Sequence, residues 1–154
     1  MIREDRDLAF WTDVYDHPQV RPHVGLGHEL DLAAILASPV VTPLRAEHGG
    51  FVFVQIDGLG RALELHTLFK PEGWGREVTI AAKQAFDTVF DRGADLIVTQ
   101  EVAGNRRSQP PRSFRFEPAG DFRPSSLGPD LRTWVLTRYA WEGSPARLRM
   151  HRCP

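Results

Sequence analysis

Apolar residues recur at helical spacing in three segments of the chain. Over residues 7–16 they stand at positions i, i+3, i+6 and i+7, which predicts an amphipathic helix that ends before Pro18. Residues 30–39 predict a second, shorter helix, and residues 76–90 predict a longer one with a continuous apolar face. Gly93 lies where a C-terminal cap would end the long helix.

Strand patterns occupy much of the remaining sequence. Six strands are predicted, over residues 39–50, 51–56, 61–69, 94–102, 114–118 and 132–141. Pro43 favours an edge position for the first of them. Asp57-Gly58 predicts a hairpin turn between the second and the third.

The segments between these elements complete the outline. A short capped helix is expected from Asn105, interrupted by Pro110-Pro111, while the loop at 119–131 and the tail at 142–154 are expected to lack regular structure. The order of elements predicts one α/β (α+β) domain over residues 1–154. Its central sheet should be mixed, mostly antiparallel and flanked by helices.

Composition limits the classes of function. The chain has 154 residues, 42% of them hydrophobic, and a formal net charge of -1. It therefore lacks the basic surplus of a general nucleic-acid binder. The local exception is a cluster of four arginines, Arg106, Arg107, Arg112 and Arg115.

Two further features concern location. No apolar run approaches the ~18 residues that span a membrane, and the N-terminus carries no apolar leader. The single cysteine, Cys153, cannot form an internal disulfide, which is typical of a reducing compartment. We therefore expect a cytoplasmic protein with no membrane partner.

One turn, FKPEGWGREV at residues 69–78, joins a predicted strand to the long helix. Backbone N–H groups point outward at a helix start and the helix dipole adds partial positive charge, so such a turn can bind phosphate. Gly75 would let the backbone approach an oxyanion closely. The alternative is a tight turn without a ligand. Glu77 suits either interpretation, because acidic residues favour the first turn of a helix.

Residues 71–108 resemble the GNAT superfamily of acyl-CoA-dependent N-acyltransferases. Pro71, Trp74 and Gly75 match the motif that opens the family's central helix, and Asn105 and Ser108 match the Asn-x-x-Ser of its next helix. The match is nearest to the ribosomal-protein N-terminal acetyltransferase branch. It extends over about residues 50 to 142.

Three departures from the family pattern stand out. Glu77 replaces the second motif glycine, Arg115 replaces the glycine before Phe116, and the tyrosine that many members use as a general acid is missing near Arg112. These departures favour an alternative function. In it, a GNAT-fold protein without catalysis acts as a CoA-binding or assembly module.

The resemblance implies a coenzyme A site at the turn. The backbone amides of Gly73, Gly75, Glu77 and Val78 would hold the pyrophosphate. The residues implied as cofactor-binding are Phe69, Gly73, Trp74, Gly75, Arg76, Glu77, Val78, Asn105, Arg107 and Ser108. Asn105 is equally explained as a helix N-cap.

Acyl transfer to an amine needs a group that accepts the amine's proton and a proton for the leaving thiolate. Glu64 and His66 share one face of the strand before the turn, where many relatives place a base or a water relay. Ser108 would hydrogen-bond the thiol sulfur, and Tyr139 is a candidate acid. Each has a structural alternative: solvent-facing strand residues for Glu64 and His66, a helix cap for Ser108, and a core or rim residue for Tyr139.

We therefore expect an N-acetyltransferase that moves an acetyl (acyl) group from acetyl-CoA to a primary amine. The acceptor is left open between a protein N-terminus, a lysine and a small amine, and the oligomeric state between a monomer and a homodimer. No metal is expected. His17, His23 and His28 stand at wider spacing than zinc ligands usually do, and no cysteine cluster accompanies them.

Overall fold

The computed structural model describes residues 1–24, 29–103, 110–123 and 129–150. These described residues contain seven strands: β1 (Arg3–Glu4), β2 (Val41–Arg45), β3 (Gly49–Gln55), β4 (Ala62–Phe69), β5 (Leu96–Val102), β6 (Glu117–Phe122) and β7 (Leu131–Thr137). In the same ranges there are five α-helices: α1 (Leu8–Tyr15), α2 (Leu32–Ala37), α3 (Arg76–Asp91), α4 (Arg138–Glu142) and α5 (Pro145–Met150). Among these residues, no helix is long and apolar enough to cross a membrane.

The strands form one sheet in the order β1-β2-β3-β4-β5-β7-β6. Every neighbouring pair is antiparallel except β4 and β5, which run parallel. The chain reaches β5 through α3, the crossover that a parallel pair requires. The predicted mixed, mostly antiparallel sheet flanked by helices is therefore confirmed.

The parallel pair is hydrogen-bonded over only part of its length. Its register joins Ala62 to Leu96 at one end and Leu65 to Thr99 at the other. The remaining halves of the two strands, residues 66–69 of β4 and 100–102 of β5, are not paired with each other in the described structure. The sheet is therefore split between β4 and β5 at their carboxyl ends.

Apolar layers cover both faces of the sheet. The layer beneath α3 and the two C-terminal helices includes Leu44, Phe51, Phe53, Leu63, Leu65, Ala81, Ala85, Phe86, Ile97, Leu136 and Trp141. The layer beneath α1 and α2 includes Trp11, Val14, Tyr15, Leu36, Val41, Val52 and Leu68. Successive side chains of a strand point to opposite faces, so Phe51 and Val52 belong to different layers.

Phe86 fixes α3 against its layer. Its ring centroid lies 5.6 Å from that of Phe114, 5.7 Å from that of Phe116 and 5.4 Å from that of Trp141. Truncating such a buried ring typically costs about 3–5 kcal/mol. The first turn of α3 consequently has a defined place relative to the sheet.

The N-terminal edge of the sheet differs from the prediction. Pro43 lies in β2, which is covered by β1 through the pairs Arg3–Arg45 and Glu4–Leu44. The amide of Asp5 also donates to the Pro43 carbonyl at 3.1 Å. The prediction that β2 lies at the edge of the sheet is therefore wrong, because β1 lies outside it. A two-residue exposed strand has no apolar period from which it could have been predicted.

The C-terminal region differs more. The strand predicted over 132–141 ends at Thr137, whose hydroxyl accepts the amide of Ala140 at 3.1 Å and starts α4. The tail expected to be irregular contains α5, which Ser144 begins by accepting the amide of Arg147 at 3.1 Å. The strand predicted over 114–118 is displaced to Glu117–Phe122, with an irregular register between Pro118 and Gly120.

Candidate active site

The split in the sheet and the start of α3 lie at the same end of the molecule. β4 and β5 separate at their carboxyl ends, and α3 begins seven positions after Phe69, the last residue of β4. A 3-10 turn, Pro71–Gly73, forms half of that connection. The first turn of α3 is therefore placed beside the opening between the two strands.

Gly75 gives this helix start its shape. Its φ of 82° and ψ of -106° suit glycine rather than residues with a Cβ. Apart from its two chain neighbours, none of the described residues has an atom within 4 Å of where a Cβ would stand. The carbonyl of Gly75 accepts the amide of Thr79 at 3.1 Å, which starts the helical ladder. The amides of Arg76, Glu77 and Val78 precede that bond and have no intrahelical acceptor.

Gly73 does not fit its expected role. Its amide donates to the carbonyl of Lys70 at 3.0 Å, inside the 3-10 turn, and the residue is buried. A Cβ at this position would lie 2.9 Å from Cδ1 of Phe69 and 3.2 Å from Oε2 of Glu77. Gly73 is therefore needed for close packing, and we remove its amide from the candidate phosphate ligands.

Trp74 closes the same connection. Its Nε1 donates to the carbonyl of Phe69 at 2.9 Å, while 53% of the residue stays exposed. The indole thus ties the turn to the end of β4.

Glu77 directs its carboxylate to the turn between β2 and β3. Oε1 accepts the amides of Glu47 at 3.0 Å and His48 at 2.9 Å, and Oε2 lies 2.8 Å from Nδ1 of His48. Burial raises the pKa of Glu77, but the hydrogen bonds from His48 and Glu47 outweigh it and hold the pKa below its usual value. The hydrogen bond to Glu77 raises the pKa of His48.

No sequence pattern points to His48 or Glu47 as site residues. The nearest signal was the unusual Glu77, but its partners lie 29 and 30 residues earlier in the chain. These three residues place ligand-type atoms within 4.8 Å of one another. Hydrogen bonds account for that cluster, because Glu77 already accepts two backbone amides, and we assign no metal to it.

Glu64 and His66 lie together on β4, as expected. Oε1 of Glu64 is 3.7 Å from Nε2 of His66, and their side chains are 31% and 46% exposed. Glu64 belongs to the paired half of β4, opposite Val98 of β5, whereas His66 is the first residue of the unpaired half. Both groups therefore flank the point where the strands separate.

The other predicted residues divide into two groups. Asn105, Arg106, Arg107 and Ser108 lie outside the described residues, as do His28 and Cys153. Arg112 and Arg115 are exposed, and Tyr139 is 86% exposed on α4 instead of lying on a strand. Tyr139 is thus not a core residue.

The fold is shared with acetyltransferases of known structure. A probable GNAT-family acetyltransferase from Chromobacterium violaceum superposes with a TM-score of 0.73 at 17% identity, covering 92% of this chain and 89% of that one. This chain has the GNAT fold. No protein-family model matches it, and no curated protein matches its sequence.

Two other GNAT-fold neighbours were crystallised with ligands. Spermidine N-acetyltransferase from Vibrio cholerae, in complex with CoA and spermine, matches with a TM-score of 0.69 at 13% identity and covers 93% of this chain and 98% of its own. The yncA protein from Salmonella typhimurium, a candidate acetyltransferase with its cofactor acetyl-CoA, matches with a TM-score of 0.67 at 18% identity, covering 89% and 92%. At such identities the likeness establishes the fold.

Proposed function

We propose that this protein is an N-acetyltransferase that moves an acetyl (acyl) group from acetyl-CoA to a primary amine. The observation that carries the proposal is the split between β4 and β5 with the start of α3 beside it. Among the described residues, this arrangement brings an opening in the sheet, the first amides of α3 and the side chains of Glu64 and His66 to one end of the molecule.

The described residues fit coenzyme A at the helix start. The amides of Gly75, Arg76, Glu77 and Val78 are available to phosphate oxygens, and the open space at Gly75 admits a close approach. Arg76 is exposed and adds a positive charge. Acetyl-CoA would supply the activated thioester. Asn105, Arg107 and Ser108 remain predicted contacts.

The chain's own contribution to the chemistry is positioning and proton transfer. Holding an amine in line with its target can supply much of the rate by itself. Glu64 or His66 would accept the proton that the amine loses, either directly or through water, and a base of this kind adds roughly 100- to 10,000-fold. Of the two side-chain types, histidine is the one that most often acts as a general acid or base in enzymes.

Two sources suggest different acceptors. The motif resemblance favours a protein N-terminus of the ribosomal-protein type, while the Vibrio cholerae neighbours act on spermidine. A lysine side chain is the third class. We therefore propose a primary amine as the acceptor and include all three classes in the test.

Calorimetric titration with acetyl-CoA and with CoA is the first experiment. Micromolar binding of both, followed by acetylation of one member of a panel of N-terminal peptides, lysine peptides and polyamines, is the expected result. If neither ligand binds at millimolar concentration, the proposal is wrong. The departure at Glu77 would then support the alternative of an assembly module that keeps the fold without the cofactor.

Location and assembly complete the proposal. The single cysteine, Cys153, supports a cytoplasmic protein. A homodimer is retained beside a monomer, and sedimentation of the purified chain distinguishes the two.

A further inference from the structure

Three segments of the chain meet at the side chain of Glu77. The turn between β2 and β3 supplies the amides of Glu47 and His48, and α3 supplies the carboxylate that accepts them. The segment after β4 joins them, because Lys70 donates its amide to the carbonyl of His48 at 2.9 Å. Gly73 leaves the room for this contact, since a Cβ there would lie 3.2 Å from Cβ of His48.

The carboxylate carries a charge next to the helix amides that we propose as phosphate ligands. Glu77 is one of those residues, so an unneutralised charge on it would repel a bound phosphate. His48 lies 2.8 Å away through Nδ1 and can neutralise that charge when its ring is protonated. A neutral ring can still donate its Nδ1 hydrogen, so loss of the proton changes the charge of the pair while the hydrogen bond is kept.

We propose that Glu77 is a positioning residue that holds the β2–β3 turn against the start of α3, and that protonated His48 neutralises the charge of Glu77. The affinity of this helix start for an anionic ligand therefore falls when His48 loses its proton. The dependence on an anionic ligand rests on the proposed function. The positioning contact and the titration of the Glu77–His48 pair are independent of the proposed function.

The charged groups around the pair set the direction of this effect. The hydrogen bond to Glu77 raises the pKa of His48, and the nearby charges of Glu47 and Glu72 raise it further. Positive groups on the adjoining segments are Arg76 at the helix start and Lys70, which is paired with Asp13. Because its pKa lies below the usual value, Glu77 stays ionised near neutrality, and His48, whose pKa is raised, is the member of the pair that loses a proton as the pH rises.

The test compares CoA affinity at about pH 6 and about pH 9 in the wild type and in Glu77→Gln. The side-chain amide introduced by this substitution can still accept the two backbone hydrogen bonds but carries no charge. One unneutralised charge about 6 Å from a phosphate, at a solvated surface, should weaken binding about threefold to tenfold. We expect the CoA affinity of the wild type to fall by this factor at high pH when it is compared with that of Glu77→Gln. The variant is the reference because any pH dependence that comes from CoA itself affects both proteins equally.

Two further variants define the result. His48→Gln should bind weakly at both pH values. Glu72→Gln, which removes an exposed carboxylate from the same connection but keeps the Glu77–His48 hydrogen bond, should still lose affinity at high pH. Identical pH profiles for the wild type and Glu77→Gln would overturn the proposal.

A measurement without CoA separates this proposal from the proposed function. The pKa of His48, followed by NMR of its ring, should fall clearly in Glu77→Gln and only slightly in Glu72→Gln, because Glu77 is the largest cause of the raised pKa and Glu72 the smallest. An unchanged pKa in Glu77→Gln would refute the pair. A lowered pKa without CoA binding at any pH would support the pair and refute the acetyl-CoA site.

Discussion

Asp87 on α3 accepts a hydrogen bond from Nε1 of Trp141 on α4 at 2.8 Å, and another from Nε of Arg147 on α5 at 2.8 Å. Trp141 is fully buried, so its indole N–H has no access to water. One carboxylate therefore joins the central helix to both C-terminal helices. It also explains why a segment that reads as a loose tail is ordered against the domain.

Asp87→Ala should destabilise the protein. The change leaves the buried N–H of Trp141 without an acceptor, which costs about 1–3 kcal/mol. For a chain of this size we expect the melting temperature to fall by roughly 3 to 10 °C. Thermal unfolding followed by circular dichroism measures the shift. The matched control is Asp91→Ala on the same helix, where the carboxylate is exposed, and a similar loss there would contradict the assignment.

Gly75→Asp should abolish CoA binding in a folded protein. The backbone of Gly75 disfavours any side chain, which costs about 1–2 kcal/mol, and the new carboxylate would occupy the space proposed for phosphate. Calorimetry gives the affinity and thermal unfolding the stability. Gly93→Asp is the control, since Gly93 also has a positive φ but follows the other end of α3, about 24 Å away. Unchanged affinity in Gly75→Asp would remove the turn from the site.

Glu64→Gln and His66→Ala should separate turnover from binding. If either residue is the base, its loss lowers kcat by about 100-fold or more while CoA affinity stays unchanged. Steady-state kinetics with the identified amine and calorimetry with CoA provide the two readouts. Full activity in both variants would show that positioning, not proton transfer by these groups, supplies the rate.

Asp57 gives the β3–β4 hairpin an acid-sensitive contact. Burial raises the pKa of Asp57, but the amides of Leu59, Ala62 and Arg61, at 3.1, 3.1 and 3.2 Å from its carboxylate, hold it below its usual value. Because the pKa of this carboxyl group is lower in the folded protein, its ionised form stabilises the fold at pH values above the unfolded-state pKa of about 3.9. This stabilisation is lost as the pH falls through the folded-state pKa.

Asp57→Ala should therefore be less stable than the wild type near neutrality, and the difference should shrink in acid. Urea midpoints at about pH 7 and about pH 3 measure it. A difference of equal size at both pH values would show that the ionised carboxylate is not what holds the turn.

The hairpin and the long helix were predictable because their signals are local. Residues 51–54 form a continuous apolar run next to a glycine pair, and Ala81, Ala85 and Val89 repeat at helical spacing on α3. Such patterns need no knowledge of what the element packs against. The order of these elements was sufficient to predict one mixed, mostly antiparallel sheet.

The C-terminal helices and the first strand were not predictable in the same way. The sequence of α4 continues an apolar run that predicts a strand. It forms a helix because Thr137 caps its start and Trp141 is buried against α3. β1 exists because Arg45 and Leu44 offer it a partner. Both depend on surfaces that other parts of the chain provide.

The sequence by itself determined the main strands, the long helix and the place of a glycine turn before that helix. Local periodicity and chain order carry that information. Only the tertiary structure decided that β4 and β5 separate beside Gly75, that the amide of Gly73 is already bonded, and that the carboxylate of Glu77 is held by His48. These relationships join residues far apart in the chain, and hydrogen bonds between such residues leave no period in a single sequence.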